Sequence, residues 1–221
     1  MTIDGSVPES DYPAVPYPGA RPPFSYAHVD GRIHRVTPQR LDEWLADRGE
    51  PRLHGRRHLL TYGSNACPSK IGWLRAELGL TGAVIVLRAR CTGLAAVWAA
   101  GRRMVDDQRP ATLTAAPGVV EQHAVWLATD EQLRVLDRCE GRGVRYRLVH
   151  VHTGTVELED GTPVPDPLAY VGLAAIRRPL IVDGSAVRCA DVTQAAAMTL
   201  RGIPAADDGL DVTDAPVPAA S

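Results

Sequence analysis

The connections between β-prone runs constrain this chain most. His58–Tyr62, Ala83–Leu87, Leu94–Ala99, Pro110–Ala115, Gln122–Leu127, Tyr146–Val151, Ala169–Val171 and Leu180–Val182 read as strands. Turn residues separate most of them, and Pro117-Gly118 reads as a turn between two. Parallel neighbours need crossovers of a dozen or more residues, usually helical, and few stretches here supply one. The order argues against a doubly wound sheet and predicts an α+β chain with a mixed sheet or a small barrel.

The helical segments carry their own signals. Thr37 is placed to cap a helix with Pro38 in its first turn, and Gly49 to stop it; Leu41, Trp44 and Leu45 form its apolar stripe. Lys70–Leu78 puts Ile71, Leu74 and Leu78 on one face, so Gly63 to Pro68 connects a strand to a helix. Thr129 and Gln132 have capping-box spacing ahead of Leu133 and Leu136, and Gly141 and Gly143 end that helix just beyond Glu140. A last helix is expected near Val192–Leu200. Six prolines within residues 1–24 predict an extended N-terminal arm, with Tyr12, Tyr17, Phe24 and Tyr26 as docking candidates. The expected organisation is an N-terminal arm with one short helix over 1–56, a folded domain over 57–203, and a disordered acidic, Ala/Pro-rich tail over 204–221.

Composition narrows the partners. With 24 basic and 26 acidic residues the formal net charge is −2, which gives no support to nucleic-acid binding. The polar, acidic start lacks the form of a secretory signal, and no run reaches the length of a membrane span. Cys67, Cys91, Cys139 and Cys189 are scattered without a CxxC pair, so neither a zinc site nor a disulfide framework is indicated. Reduced thiols in a cytoplasm are the simplest expectation.

Four blocks then appear in order: Thr61-Tyr62-Gly63-Ser64-Asn65; Ala111-Thr112 with Pro117-Gly118; Leu136-Asp137-Arg138-Cys139-Glu140-Gly141; and Tyr146. Together they resemble the gamma-glutamylcyclotransferase-like family over roughly residues 57 to 175. The resemblance implies a small mixed β-barrel flanked by helices and an enzyme without a cofactor or metal. Its substrate would be a small γ-glutamyl amide, cyclised to 5-oxoproline with release of an amine or amino acid. It makes Glu140 the catalytic residue, Tyr62, Gly63, Ser64 and Asn65 the substrate turn, and Tyr146 a further polar contact. His123 and Ala66-Cys67-Pro68 depart from the family pattern, and the long N-terminal arm has no counterpart in its minimal form. These departures motivate two alternatives: a binding or scaffold protein that keeps the fold without turnover, and a pathway-specific γ-glutamyl deprotection. The arm is a candidate for covering the pocket or for mediating a homodimer.

The residue types suit that chemistry. The α-ammonium of a γ-glutamyl group must lose a proton before it attacks its own γ-carbonyl, and one carboxyl group can take that proton and return it to the departing amine. Glycine lets backbone N–H groups of a turn face a substrate anion, with the start of the next helix adding partial positive charge. Each residue also has a plainer role: Glu140 as a solvated helix-end carboxylate, Ser64 and Asn65 as turn and cap, Tyr146 and His123 as packed strand residues, Cys139 as a core thiol, and Arg102-Arg103 as a solvated loop.

Overall fold

Near-continuous apolar runs such as Val84 to Leu87 and Ala124 to Ala128 dictate a sheet buried on both faces. The computed structural model describes residues 5–216. The chain opens with β1 (Val7–Pro8), β2 (Tyr26–Val29) and β3 (Arg32–Arg35), followed by α1 (Leu41–Ala46), β4 (Arg57–Thr61) and α2 (Pro68–Leu78). Two long strands, β5 (Val84–Trp98) and β6 (Ala111–Ala128), lead into α3 (Asp130–Glu140). Then come β7 (Tyr146–Val151), β8 (Thr155–Leu158), β9 (Leu168–Gly172), β10 (Leu180–Val182) and β11 (Ser185–Ala186). The last elements are α4 (Gln194–Ala197), β12 (Ile203–Pro204) and β13 (Val212–Asp214). Among the described residues no helix is long and apolar enough to cross a membrane.

Among the described residues the main sheet has ten strands in the order β1-β3-β2-β5-β6-β4-β9-β7-β13, with β8 pairing β5; β11-β10-β12 form a separate small sheet. The sheet is mixed, since β4 runs parallel to β9 while the other pairs of strands are antiparallel. It does not close. The expected barrel is corrected to an open sheet: β1 and β13 stand at opposite ends, and β2 from the N-terminal segment takes the flank of Val84–Val86.

Two further expectations change. The strand pairs read around residues 83–99 and 110–127 are the two continuous strands β5 and β6. They pair from Ile85↔Leu127 to Trp98↔Ala111, with a register shift between Thr92↔Val120 and Leu94↔Ala115. Pro117-Gly118 is therefore part of a bulge in β6 and not a hairpin turn. Opposite it, Gly93 takes φ +80°, and a Cβ there would stand 3.2 Å from the Gly154 Cα, so the chain bends where only glycine fits. The helix expected over Val192–Leu200 shrinks to the four residues of α4, capped by Thr193, whose Oγ1 accepts from Ala196 N.

The N-terminal segment is not a loose arm. Its strands β1 to β3 join the main sheet. The tail expected to be disordered pairs Val212–Asp214 with Val149–Val151 and buries Ala215. The rest of that tail, 217–221, lies outside the described residues.

Strand alternation splits the core. Ile85, Leu87 and Leu60 face one side, with Leu41, Trp44 and Leu45 of α1. Val84, Val86, Leu59 and Trp126 face the other, against Ile71 and Leu74 of α2 and Leu133 and Leu136 of α3. Each fully buried Leu or Ile contributes roughly 1.5–3 kcal/mol, so the pairing of α2 and α3 on one face is firmly held. That pairing fixes the start of α2 and the end of α3 side by side, where the candidate site lies.

Candidate active site

Two local signals place the site residues. Gly63 follows β4, and Ser64–Ala66 make a single 3-10 turn before Pro68 starts α2. On the other side, α3 begins with the capping box: Thr129 Oγ1 accepts from Gln132 N, and Gln132 Oε1 from Thr129 N. It ends at Gly141, whose φ of +63° provides the left-handed stop. Glu140 is the last residue of α3 and is half-buried.

These ends meet. Asn65 Nδ2 donates to Glu140 Oε1 at 2.9 Å, joining residues 75 positions apart. The Asn65 main chain is fixed in turn, because Trp126 Nε1 donates to Asn65 O at 2.9 Å. Among the described residues, no protein group bonds the second oxygen of Glu140. The amides of Gly63 and Ser64 likewise have no protein acceptor among the described residues.

Three phenols surround this pair. Tyr62 is buried and donates to Tyr170 O, and Tyr146 donates to Ala111 O at 3.4 Å. Tyr17, from the N-terminal segment, accepts from Ala111 N at 2.9 Å. Its Oη sits 2.7 Å from the point where a Cβ on Gly63 would be. Burial pushes all three phenols above the usual tyrosine range, and the negative charge of Glu140 acts in the same direction on each. They stay protonated at any working pH and serve as hydrogen-bonding groups. Glu140 is the carboxyl group of this cluster. Lys70, in the first turn of α2, is held below the usual lysine value by burial, which outweighs the opposing influence of Cys139 and Glu140. Burial raises the Cys139 thiol, and Glu140 raises it further, so this cysteine is not an activated nucleophile.

Of the residues singled out from sequence, Tyr62, Gly63, Asn65, Glu140 and Tyr146 gather here. Ser64 opens the 3-10 turn and is partly exposed. His123 lies elsewhere: it is 8% exposed, and its Nε2 stands 2.9 Å from Glu121 Oε2. Arg188 and the Ala96 amide also hold Glu121. Arg102 and Arg103 pair with Asp107 and Asp106 in their own loop.

Sequence reasoning missed Arg21, whose Nη2 donates to both Tyr62 O and Gly63 O at 2.8 Å. No motif marks it, since its partners are main-chain atoms some forty residues away. A cavity of about 350 Å³ borders the turn, with Pro18, Arg21, Tyr62, Ala111 and Arg188 in its wall. A smaller one of about 170 Å³ lies on the other flank of Arg21, against Phe24 and His123. Glu140 lines neither cavity.

The solved structures to which this chain is similar include gamma-glutamyl cyclotransferases. One, described as a gamma-glutamyl cyclotransferase, is 18% identical, with a TM-score of 0.43 over 53% of this chain and 66% of its own. Another, from yeast and described as specific to glutathione, is 14% identical, with a TM-score of 0.36 over 70% of this chain and 82% of its own. An uncharacterized protein from Homo sapiens is 18% identical, with a TM-score of 0.45 over 54% of this chain and 68% of its own. No family model matches the chain, and neither does any curated protein. Any functional reading therefore stands on the residues of the site.

Proposed function

We propose that the protein is a gamma-glutamylcyclotransferase-type enzyme that converts a γ-glutamyl amide to 5-oxoproline and a free amine. The observation that carries this reading is the Asn65–Glu140 hydrogen bond. It supports the reading because it sets a carboxyl group beside a turn with two main-chain donors that have no protein acceptor among the described residues.

The steps balance without a cofactor. Glu140 takes a proton from the substrate's α-ammonium through the oxygen that Asn65 leaves free. The amine nitrogen attacks the γ-carbonyl carbon, a C–N bond forms, and negative charge gathers on the carbonyl oxygen. The original amide C–N bond then breaks and Glu140 returns its proton to the departing amine; the second proton of the new ring nitrogen passes through the freed carboxylate to that amine, which leaves as an ammonium, and Glu140 ends ionised as it began. Holding the glutamyl chain folded supplies much of the rate, because the reaction is intramolecular. The turn's N–H groups suit the substrate α-carboxylate. The neutral phenols of Tyr62 and Tyr146 wall the site.

The test is incubation with a panel of γ-glutamyl amines and γ-glutamyl dipeptides, with 5-oxoproline followed by chromatography. Release from at least one substrate is expected; none across the panel removes the assignment. A second reading, a binding protein without turnover, draws on Tyr17, whose hydroxyl fills the space against Gly63. It requires ligand-induced thermal stabilisation with no product.

A further inference from the structure

Arg21 sits in the N-terminal segment, which is fastened along its length: Ser69 Oγ donates to Glu9 O at 2.9 Å, and Cys67 Sγ to Tyr12 O at 3.4 Å. Its Nη2 donates to two consecutive carbonyls, those of Tyr62 and Gly63. In a trans peptide the C=O and the following N–H point in opposite directions. Pinning these two oxygens on the Arg21 side turns the Gly63 and Ser64 N–H groups to the opposite side. Those are the amides with no protein acceptor among the described residues. Arg21 has no carboxylate partner among the described residues either, so its positive charge is not neutralised beside the turn.

We propose that Arg21 is a positioning residue of the site. It locks the Tyr62-Gly63-Ser64 peptides so that two adjacent N–H groups present as a paired donor to a substrate carboxylate, and its charge adds to the field that attracts that anion. The inference rests on the reading of this turn as the substrate cradle. Both bonds leave the single Nη2, so a lysine ammonium, a point donor on a flexible stem, keeps the charge and part of the bonding, whereas methionine supplies neither. A carboxylate is fully charged in the bound substrate and in the transition state alike. The effect therefore belongs to binding, in KM more than in kcat.

The experiment compares wild type with Arg21→Lys and Arg21→Met in two assays: steady-state cyclisation, and calorimetric binding of 5-oxoproline, which keeps the α-carboxylate. Melting temperatures are recorded for each. KM is expected to rise about tenfold in R21M and about threefold in R21K, with kcat within about twofold and the 5-oxoproline Kd following KM. A folded R21M with unchanged KM and Kd overturns the inference, as does a kcat loss at constant KM. If the Met variant does not fold, the Lys variant carries the test on the same criteria. Wild type that binds 5-oxoproline but cyclises nothing removes the enzymatic reading and leaves the binding arm of this test intact. Wild type that neither binds nor cyclises removes both.

Discussion

Replacing Glu140 with glutamine isolates proton transfer from architecture. Glutamine keeps the shape of the side chain and an oxygen that accepts from Asn65 Nδ2, now 2.9 Å away, so the union of the turn with the end of α3 survives. What is lost is the capacity to take and return a proton. A positioned general acid–base contributes about 10²–10⁴ in rate, or roughly 2.7–5.5 kcal/mol of barrier. The cost to stability is far smaller. Exchanging a charge-assisted hydrogen bond for a neutral one at a half-buried position costs about 1 kcal/mol, a melting shift of roughly 2–4 °C for a chain of this size. The assay is 5-oxoproline release at 25 °C by E140Q and wild type, with melts run in parallel. The expected result is a loss of about a hundredfold or more in kcat/KM with a nearly unchanged melt. A variant that keeps more than about a tenth of wild-type kcat/KM shows that the proton travels by another route and refutes the assignment.

Two further outcomes follow from packing and charge. Gly63→Ala drives a methyl to within 2.7 Å of Tyr17 Oη, while Tyr17→Phe removes that oxygen and leaves the Ala111 N–H without its acceptor. Each change alone is expected to cost about 1–3 kcal/mol in denaturant melts, but G63A should cost clearly less in the Y17F background. Strict additivity would show that the two do not touch. Burial alone would raise the Glu121 carboxyl, but contacts from His123, the Ala96 amide and Arg188 outweigh it and hold it below the usual carboxylate range. The folded value thus lies below the unfolded one. The resulting stability is present above the unfolded pKa and is lost as pH falls through the folded one. Denaturant midpoints followed downward from pH 7 should show an acid limb that Glu121→Gln flattens; an identical limb in both proteins contradicts this.

Local chemistry was legible where neighbours in sequence decide it. The Thr129/Gln132 capping box and the Gly141 stop delimit α3 as read, and the strand Tyr146–Val151 has the same ends in both readings. The 3.6-residue spacing in α2 and α3 named the buried Ile71, Leu74, Leu133 and Leu136 correctly. Legibility failed where distant segments decide. Pro117-Gly118 has turn chemistry, yet the ladder of β5 against β6 continues past it, and the local irregularity becomes a bulge. The N-terminal prolines do keep α-helix out of their segment, which makes only the 3-10 turn Glu9–Asp11, but they did not reveal that Tyr26–Val29 finds a strand partner in Val84–Val86. For the site, the four-block order brought forward Asn65 and Glu140, whereas Tyr17 and Arg21 act through main-chain atoms of other segments. Any residue type offers those atoms, so nothing in the partner sequence marks the contact.

The place of β2 bears on where this chain can be cut. A fragment starting at Arg57 would keep all four motif blocks. It would lose Tyr17 and Arg21 and would strip the cover from Val84–Val86. Those three apolar residues would then display an open row of N–H and C=O groups, a template on which a second molecule can lay its own strand. The leading segment is thus also a guard against self-association, and a fragment that keeps all four motif blocks bares an edge that the longer chain covers.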